Sequence, residues 1–279
     1  MHRGAAVAAL ALCLVTAGCT GLVGSGSPSA GETVTPAPVP AQPPAPVAPG
    51  LTEAGVTDTR ALARAHVTTL GNVSYTLRHT RTVQTANGTV RLRQVTTGEF
   101  AANYRTYVAT RTITGTEVPP TEIRTRWAEG RAVQWTTVNG TTRREIVADG
   151  RGIGAPPLPP RAALFFDPTY NGRVAALFAG ANVTAVTRTS EEVMQTYRAP
   201  VSRVVADGAA DRSQFPVVHA ERVGDVRFTA VVGPSGVVYG YGTQYTVVRN
   251  GTTLHVTESL RYSDLGTTTP RRGPASSPE

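Results

Sequence analysis

Cys19 is the residue whose surroundings point most directly to a chemical modification. It follows the small residues Ala17-Gly18 and an apolar stretch, Ala5–Val15, that is too short to span a bilayer, which takes about 20 residues. An apolar stretch of this length behind one positive charge, Arg3, is typical of a secretory signal. We therefore expect residues 1–18 to be removed and a lipid to be attached to the Cys19 thiol. The alternative is an ordinary signal peptide cut near Ala17-Gly18, with an incidental cysteine.

Asparagines in Asn-X-Ser/Thr sequences form a second chemically distinctive set. In an exported protein such sequences mark acceptors for N-glycosylation on exposed segments. The predicted acceptors are Asn72, Asn87, Asn139, Asn182 and Asn250. Three of them precede a glycine, and Asn-Gly between alternating runs is also the strongest short signal for a β-hairpin, because both central residues of the turn take φ > 0. A threonine-rich chain also generates such sequences by chance, so each position is a candidate only.

The sequence lacks the spacings that are typical of catalytic, metal and phosphate sites. The histidines beyond the signal are His66, His79, His219 and His255. They are dispersed, without the close pairs found in zinc sites, and no G-x-S-x-G or P-loop sequence is present. Gly150–Gly154 precedes prolines, which cannot begin the helix that a phosphate loop requires. We therefore predict no catalytic residue, no metal and no cofactor, in a protein that is not an enzyme.

The charged residues are few and unevenly distributed. The chain of 279 residues has 27 basic residues, all arginine, and 19 acidic residues, which gives a net charge of +8. Most of the excess lies within residues 51–155. Rows of arginines on strands suit anionic lipid headgroups, glycans or acidic proteins, whereas a solvated sheet face is the simpler interpretation. Nucleic acid is not an expected partner, because no aromatic stacking motif accompanies the arginines.

Residues 19–50 predict a spacer between Cys19 and a folded domain. The segment has one charged residue, Glu32, and changes from glycine- and serine-rich to proline-rich from Pro36 to Pro49. Proline fixes φ and removes a backbone donor, so we expect an extended polyproline-type conformation. At about 3.1 Å per residue, the roughly 17 residues that end at Gly50 would reach about 50 Å. Such a spacer holds a domain away from the membrane.

The sequence from Leu51 predicts one domain over residues 51–266, followed by a flexible tail over residues 267–279. A helix is expected to begin at Thr57 or Asp58 and to end at Gly71-Asn72, because one stripe at helical spacing carries its apolar residues. The stripe consists of Ala61, Leu62, Ala65, His66 and Leu70. His66 is interpreted as a partly buried polar residue. Two apolar segments, Arg161–Phe166 and Arg173–Ala179, are predicted as further short helices after the prolines at 156–160.

The remaining runs alternate and are rich in β-branched residues, as is typical of strands. The predicted strands are 75–83, 90–96, 105–114, 123–128, 131–138, 141–147, 182–188, 193–199, 226–232, 237–241, 244–249 and 252–262. Because hairpin turns connect most of them, we expect an antiparallel sheet with one packed face and one wet face. The predicted fold class is α+β, with a large, curved, half-barrel-like antiparallel sheet and a few short helices on its inner face. A closed barrel is the alternative.

Several stretches together resemble an uncharacterised family of lipoproteins from halophilic archaea. They are Thr16-Ala17-Gly18-Cys19, Pro49–Asp58, Ala61–His66, Ser74–Leu77 and Tyr262–Thr268. The resemblance covers most of the chain and implies an archaeal surface lipoprotein, but no assigned reaction. The layout also looks like the half-barrels of lipoprotein carriers in bacterial envelopes, in which a curved sheet and helices enclose an acyl chain.

These observations predict a lipoprotein on the extracytoplasmic face of the cell membrane, anchored through Cys19. A curved sheet covered by the apolar segments Ala162–Phe166 and Val174–Phe178 suits a binding domain for a hydrophobic or amphiphilic ligand. The alternative is a structural or interaction protein of the cell envelope, with no ligand cavity and with anionic envelope components as partners. The sequence identifies neither the ligand nor the partner.

Overall fold

The computed structural model describes residues 44–149, 164–180, 182–189, 201–207 and 222–271. All of them belong to one compact unit, Pro43–Glu279. The predicted signal, Cys19, most of the predicted spacer and the last part of the predicted tail lie outside these ranges. The same holds for Gly150–Gly154, the first three residues of the predicted helix 161–166, the predicted strand 193–199 and His219. No helix within them is long and apolar enough to cross a membrane.

A small sheet and a helix open the described part of the chain. The strands of the small sheet are β1 (Pro46–Ala48), β2 (Leu51–Thr52) and β3 (Gly55–Val56), and α1 (Thr59–Asn72) follows. The side chain of Asp58 accepts hydrogen bonds from the backbone N–H groups of Arg60 and Ala61, both at 2.9 Å, and so caps the helix as predicted. The buried stripe of α1 consists of Leu62, Ala63, His66 and Leu70.

Eleven antiparallel strands form the main sheet. The first six are β4 (Tyr75–Thr85), β5 (Val90–Phe100), β6 (Tyr107–Thr114), β7 (Thr121–Ala128), β8 (Arg131–Val138) and β9 (Thr141–Asp149). After α2 (Asn171–Gly180) come β10 (Val183–Thr189), β11 (Val201–Asp207), β12 (Arg222–Val232), β13 (Val238–Arg249) and β14 (Thr252–Ser263). A 3₁₀ helix, Ala102–Tyr104, lies between β5 and β6.

The spatial order of the strands joins the two halves of the chain. It runs β10-β11-β12-β13-β14-β4-β5-β6-β7-β8-β9, so the last strand pairs with the first long one. The ladder is open within the described residues, with β10 and β9 at its edges, which differs from the closed-barrel alternative. The predicted α+β class, with a large antiparallel sheet and short helices, is confirmed.

Side-chain alternation gives the sheet two different faces. On β14 every second residue from Leu254 to Tyr262 is buried and those between are exposed. We call the side of Leu254, Leu77 and Tyr241 the packed face, because α1 and α2 lie against it. The opposite side, which carries Arg78 and Thr80, is called the outer face.

Aromatic side chains fill one end of the packed face. Tyr75 stacks on Phe100 at 5.0 Å between ring centroids and meets Tyr262 edge-on at 5.5 Å. Tyr107 stacks on Trp127 at 6.4 Å. Ring pairs in these geometries add to the free energy of burial. This cluster forms the end of the core at which β4 begins.

Several predicted boundaries differ from the structure, and two of the differences have a clear local reason. The predicted strands 237–241 and 244–249 are one strand, β13, whose glycines lie in an unbroken ladder; a Cβ on Gly240 would come within 2.6 Å of the backbone oxygen of Leu260. Leu164–Phe166 forms a bend instead of a helix. It is followed by Asp167-Pro168, and a residue that precedes proline disfavours helical backbone angles. The predicted helix 173–179 is confirmed within α2.

Candidate functional site

The packed face contains a buried polar cluster where α2 crosses the sheet. Its centre is Glu258 on β14, whose side chain is 4% exposed. Arg173 of α2 donates to both carboxylate oxygens, from Nη2 to Oε2 at 2.6 Å and from Nε to Oε1 at 3.1 Å. Tyr241 of β13 donates its hydroxyl to Oε1 at 2.6 Å, and Nε2 of His79 on β4 lies 3.2 Å from the same oxygen. The carboxylate is thereby saturated by three neighbouring elements.

Burial and hydrogen bonding act in opposite directions on the titration of this cluster. Burial raises the pKa of Glu258, but the hydrogen bonds from His79, Arg173 and Tyr241 and the charge of Arg173 outweigh it and hold the pKa well below its usual range. Burial and the Glu258 charge raise the pKa of Tyr241 well above its usual value. The cluster is therefore an ionised carboxylate clamped by a cation and a neutral phenol, which ties α2 to the sheet.

His66 attaches the other helix, α1, to the sheet. Its Nδ1 accepts a hydrogen bond from the backbone N–H of Val238 at 3.1 Å, so Nε2 carries the proton and donates to the carbonyl of Thr169 at 2.9 Å. The ring is fully buried, and burial lowers its pKa from 6.5 to about 4. The interpretation of His66 as partly buried is therefore corrected: it is a neutral core histidine that links α1, β13 and the segment before α2.

The segment 164–170 covers the packed face between the two helices. The carbonyl of Pro168 accepts hydrogen bonds from the hydroxyls of Tyr262 at 3.2 Å and Tyr75 at 3.5 Å. Phe166 meets Phe100 edge-on at 6.5 Å. These contacts bring Phe165 and Phe166 over β5 and β6, where they mark the edge of the filled core.

Arg111 on β6 lies at this edge. Its guanidinium carbon is 4.7 Å from the ring centroid of Phe165 and 5.4 Å from that of Phe166, and its Nε donates to Thr96 Oγ1 at 3.2 Å. Burial lowers the pKa of Arg111. Within the described ranges no carboxylate pairs with this guanidinium, although a desolvated charge ordinarily needs a counter-ion. Arg111 is thus a half-buried cation with hydroxyl and aromatic neighbours.

Beyond Arg111 the packed face carries half-buried aliphatic side chains. Ile123 lies directly opposite Arg111 on β7, and Ile113 is two residues further along β6. Leu92 of β5 lies on the same face as Gln94, the partner of Ile113. These three side chains are half-buried and lie outside the described core cluster. The packed face therefore changes, at Arg111, from a filled aromatic end to a partly open aliphatic end.

The predicted site residues do not converge on this region. Cys19 lies outside the described residues. The five predicted glycosylation acceptors, Asn72, Asn87, Asn139, Asn182 and Asn250, are all exposed. Asn139 and Asn250 occupy hairpin turns with φ of 48° and 50°, as expected for Asn-Gly. At the third Asn-Gly turn, Gly88 has a positive φ and Asn87 does not. The side chain of Asn87 instead accepts a hydrogen bond from the backbone N–H of Thr89.

Glu258, Arg173 and Arg111 were not predicted as site residues from the sequence. One signal was present for Glu258: it stands in the series Leu254, Val256, Glu258, Leu260, Tyr262, in which every other member is apolar. A carboxylate in an apolar series on an alternating strand points to a buried, paired charge. Arg111 stands in a similar series after Tyr107 and Ala109.

Two clefts are lined by described residues, and neither is enclosed. One, of about 680 Å³, lies between the start of α1 and the end of α2 and is lined in part by Asp58, Arg60, Phe178 and Val183. The other, of about 360 Å³, is a groove on the outer face over β12, β13, β14 and β4. No group of three His, Cys, Asp or Glu side chains in the described part of the chain is placed to hold a metal ion.

Comparison with known proteins gives a distant likeness only. No family model and no curated protein matches the chain. A DUF1329 family protein from Desulfovibrio piger matches at a TM-score of 0.26 and 8% identity, over 78% of this chain and 93% of that one. A β-barrel-like protein of the domain of unknown function DUF1849, from Brucella abortus, matches at a TM-score of 0.21 and 14% identity, over 69% of this chain and 99% of that one. Likeness at this level assigns neither a family nor an activity, and the resemblance to archaeal lipoproteins stays a prediction.

Proposed function

We propose that this protein is a lipoprotein anchored through Cys19 to the extracytoplasmic face of the cell membrane, and that its sheet domain binds an amphiphile with an anionic headgroup. The observation that carries the binding proposal is Arg111. It is a half-buried cation with no carboxylate partner among the described residues, at the border between the aromatic core and the half-buried aliphatic end of the packed face.

The surroundings of Arg111 match the two parts of an amphiphile. A carboxylate or phosphate headgroup would supply the counter-ion that Arg111 lacks, and charge-assisted hydrogen bonds of this kind are among the stronger ones. An acyl chain would lie against Ile113, Ile123 and Leu92, and each fully buried aliphatic side chain contributes about 1.5–3 kcal/mol. Phe165 and Phe166 screen the guanidinium from water on the other side.

The polar cluster supports a binding function over a catalytic one. Glu258 and Arg173 satisfy each other, and Tyr241 donates to the same carboxylate. A general acid or base must reach the proton that it transfers, whereas this carboxylate is buried beneath α2. We therefore assign the cluster to the attachment of α2, and the proposed function is not that of an enzyme.

The binding proposal is tested with the fluorescent fatty acid cis-parinaric acid on the full chain, with oleate and oleyl alcohol as competitors. We expect oleate to displace the probe at concentrations at least tenfold lower than oleyl alcohol, because only oleate offers a counter-ion to Arg111. Arg111→Gln should weaken oleate binding about tenfold or more, since the loss of one charge-assisted hydrogen bond is worth about 1.5–3 kcal/mol.

The matched control is Arg124→Gln, which removes an arginine from the outer face of the adjacent strand and should leave oleate binding unchanged. Equal affinity for oleate and oleyl alcohol, or equal loss in both variants, would contradict the proposed headgroup site. No probe binding at all would favour a structural or interaction protein of the cell envelope instead.

The anchor is tested separately with Cys19→Ser, expressed in a host that processes lipoproteins. We expect the variant to be released into the medium or to retain its signal, whereas the wild-type chain fractionates with the membrane. Unchanged membrane association and processing of the variant would contradict lipid attachment at Cys19.

A further inference from the structure

The outer face carries a row of seven side chains on seven neighbouring strands, and four of the seven are arginines. In register, the row is Arg261, Arg78, Thr97, Thr110, Arg124, Trp135 and Arg144. At about 4.8 Å between strands the row spans about 29 Å. This row is independent of the packed face and of the amphiphile site proposed there.

Three arginines of this row have no carboxylate partner among the described residues: Arg78, Arg124 and Arg144. Arg78 lies directly opposite Arg261, and like charges in such cross-strand pairs repel each other. An anion laid along the row would supply a counter-charge to these three arginines.

Carboxylates are scarce around the row. Glu99 lies on the outer face of β5 and Glu122 on that of β7. Arg271 already binds the Glu99 carboxylate, because its backbone nitrogen lies 2.8 Å from Oε2 and its Nε lies 3.6 Å from Oε1. Arg93 and Arg126 add further positive charge on the same face of these strands. The outer face of β4–β9 and β14 is therefore a cationic surface, complementary to an extended polyanion.

Aromatic and hydroxyl groups distinguish this surface from a plain cationic patch. Trp135 is half-exposed within the row, with the Arg124 guanidinium 5.9 Å from its ring centroid. Next to Arg78 and Arg261, hydroxyl side chains line the outer groove of about 360 Å³, whose floor is Gly242. They are Thr80, Thr229, Thr257 and Ser259. Hydroxyls supply donors and acceptors for sugar hydroxyls, and an indole supplies a flat apolar surface for a sugar ring.

We propose that the outer face binds an acidic polysaccharide, a chain of sugars bearing carboxylate or sulfate groups. A membrane surface fits this face less well, because its exposed large apolar side chains, Val90 and Ile146, lie apart from each other within the described residues. An extended glycan matches the length of the row, its arginine and threonine side chains, and the indole within it.

The test measures binding of the full chain, in detergent, to immobilised alginate and sulfated dextran, with neutral dextran as a reference. We expect binding to either acidic polymer and none to neutral dextran. Arg78→Gln combined with Arg144→Gln should weaken binding tenfold or more and reduce its salt dependence. Trp135→Leu should weaken it several-fold with no change in salt dependence.

The matched control combines Arg60→Gln with Arg64→Gln, which removes two exposed arginines from α1 and should change little. An equal loss of binding in both double variants would show that binding depends only on the net charge, and would overturn the proposal. Displacement by short-chain phosphatidylglycerol at lower concentrations than by soluble alginate would make a membrane surface the partner and also overturn it. Parinaric acid binding serves as a folding control for the outer-face variants, and alginate binding serves as one for Arg111→Gln. A failure of one proposal can therefore be told apart from a failure of the other.

Discussion

At the residue scale, two opposing effects act on the carboxylate of Glu258. Burial opposes its ionisation, and hydrogen bonds from Arg173, Tyr241 and His79 favour it. The second effect is larger, so the charge persists beneath α2. Because a buried ion pair owes its stability to both partners, removal of one leaves the other charged, desolvated and unpaired.

Glu258→Gln should therefore lower the free energy of unfolding by about 3–5 kcal/mol, as measured by denaturant titration. The matched control is Glu117→Gln, which breaks an exposed pair with Arg91 at 3.3 Å and should cost about 1 kcal/mol or less. Similar small losses in both variants would show that the Glu258 cluster does not hold α2 on the sheet.

His66 should make the stability of the fold depend on pH. Burial lowers its pKa from 6.5 to about 4, so the unfolded chain takes up a proton in a range where the folded chain stays neutral. Stability should thus fall as the pH drops from about 6.5 to about 4, by about 3 kcal/mol for this group. Glu258, whose folded pKa is lowered, adds a loss only below about pH 4.5. His66→Gln should flatten the curve of unfolding free energy between pH 6.5 and 4.5. An unaltered slope in His66→Gln would contradict a neutral buried histidine.

At the element scale, close backbone approach matters more than turn chemistry at several glycines. Gly240 lies in β13 where a Cβ would meet the backbone oxygen of Leu260 at 2.6 Å. A Cβ on Gly71, near the end of α1, would have no neighbouring atom within 4 Å. The same substitution should therefore have opposite effects in the two elements.

Gly240→Ala should destabilise the protein by about 1–3 kcal/mol, because strand β13 would have to move away from β14. Gly71→Ala should stabilise it by about 0.5–1 kcal/mol, since alanine reduces the freedom of the unfolded chain and suits a helix. Thermal unfolding should show a lower melting temperature for Gly240→Ala and a higher one for Gly71→Ala than for the wild-type protein. Equal melting temperatures for the two would contradict the continuous β13–β14 ladder.

The sequence predicts individual elements better than it predicts how they meet. The hairpins from β4 to β9 follow from alternation and turn residues, because each strand pairs with its neighbour along the chain. The pairing of β14 with β4 joins residues that are far apart in the sequence, such as Thr76 and Ser263, and no local sequence pattern predicts it. Likewise, the apolar series around Glu258 predicts a buried carboxylate, but its partner Arg173 depends on where α2 crosses the sheet.

At the scale of the whole molecule, the two ends of the main sheet differ in chemistry. The end at which β4 begins holds the aromatic core around Tyr75. The turns of the three Asn-Gly hairpins all lie at the other end, which we call the turn end. Three of the five predicted glycosylation acceptors are therefore at the turn end: Asn87, Asn139 and Asn250. Asn182 precedes Val183, which is level with Arg81 in the middle of β4. Asn72, between α1 and β4, lies at the aromatic end.

If sugars are attached, they should concentrate at the turn end. Glycopeptide mapping of protein from its natural source should find modified Asn139 and Asn250, whose side chains are exposed at hairpin tips. Thr141→Ala and Thr252→Ala should each remove one glycan without disturbing the positive φ of the preceding asparagine. Modification confined to Asn72 would contradict this expectation.

Photolabelling with a diazirine-bearing fatty acid tests the proposal that the packed face beyond Arg111 holds the acyl chain of an anionic amphiphile. Trypsin releases residues 112–124 as one peptide, which contains both Ile113 and Ile123. We predict that this peptide carries the label and that excess oleate prevents labelling. In Arg111→Gln the cleavage after residue 111 is lost, and the corresponding peptide, residues 106–124, should carry at least tenfold less label. Label found mainly on outer-face residues, or labelling that oleate does not prevent, would contradict acyl-chain binding on the packed face.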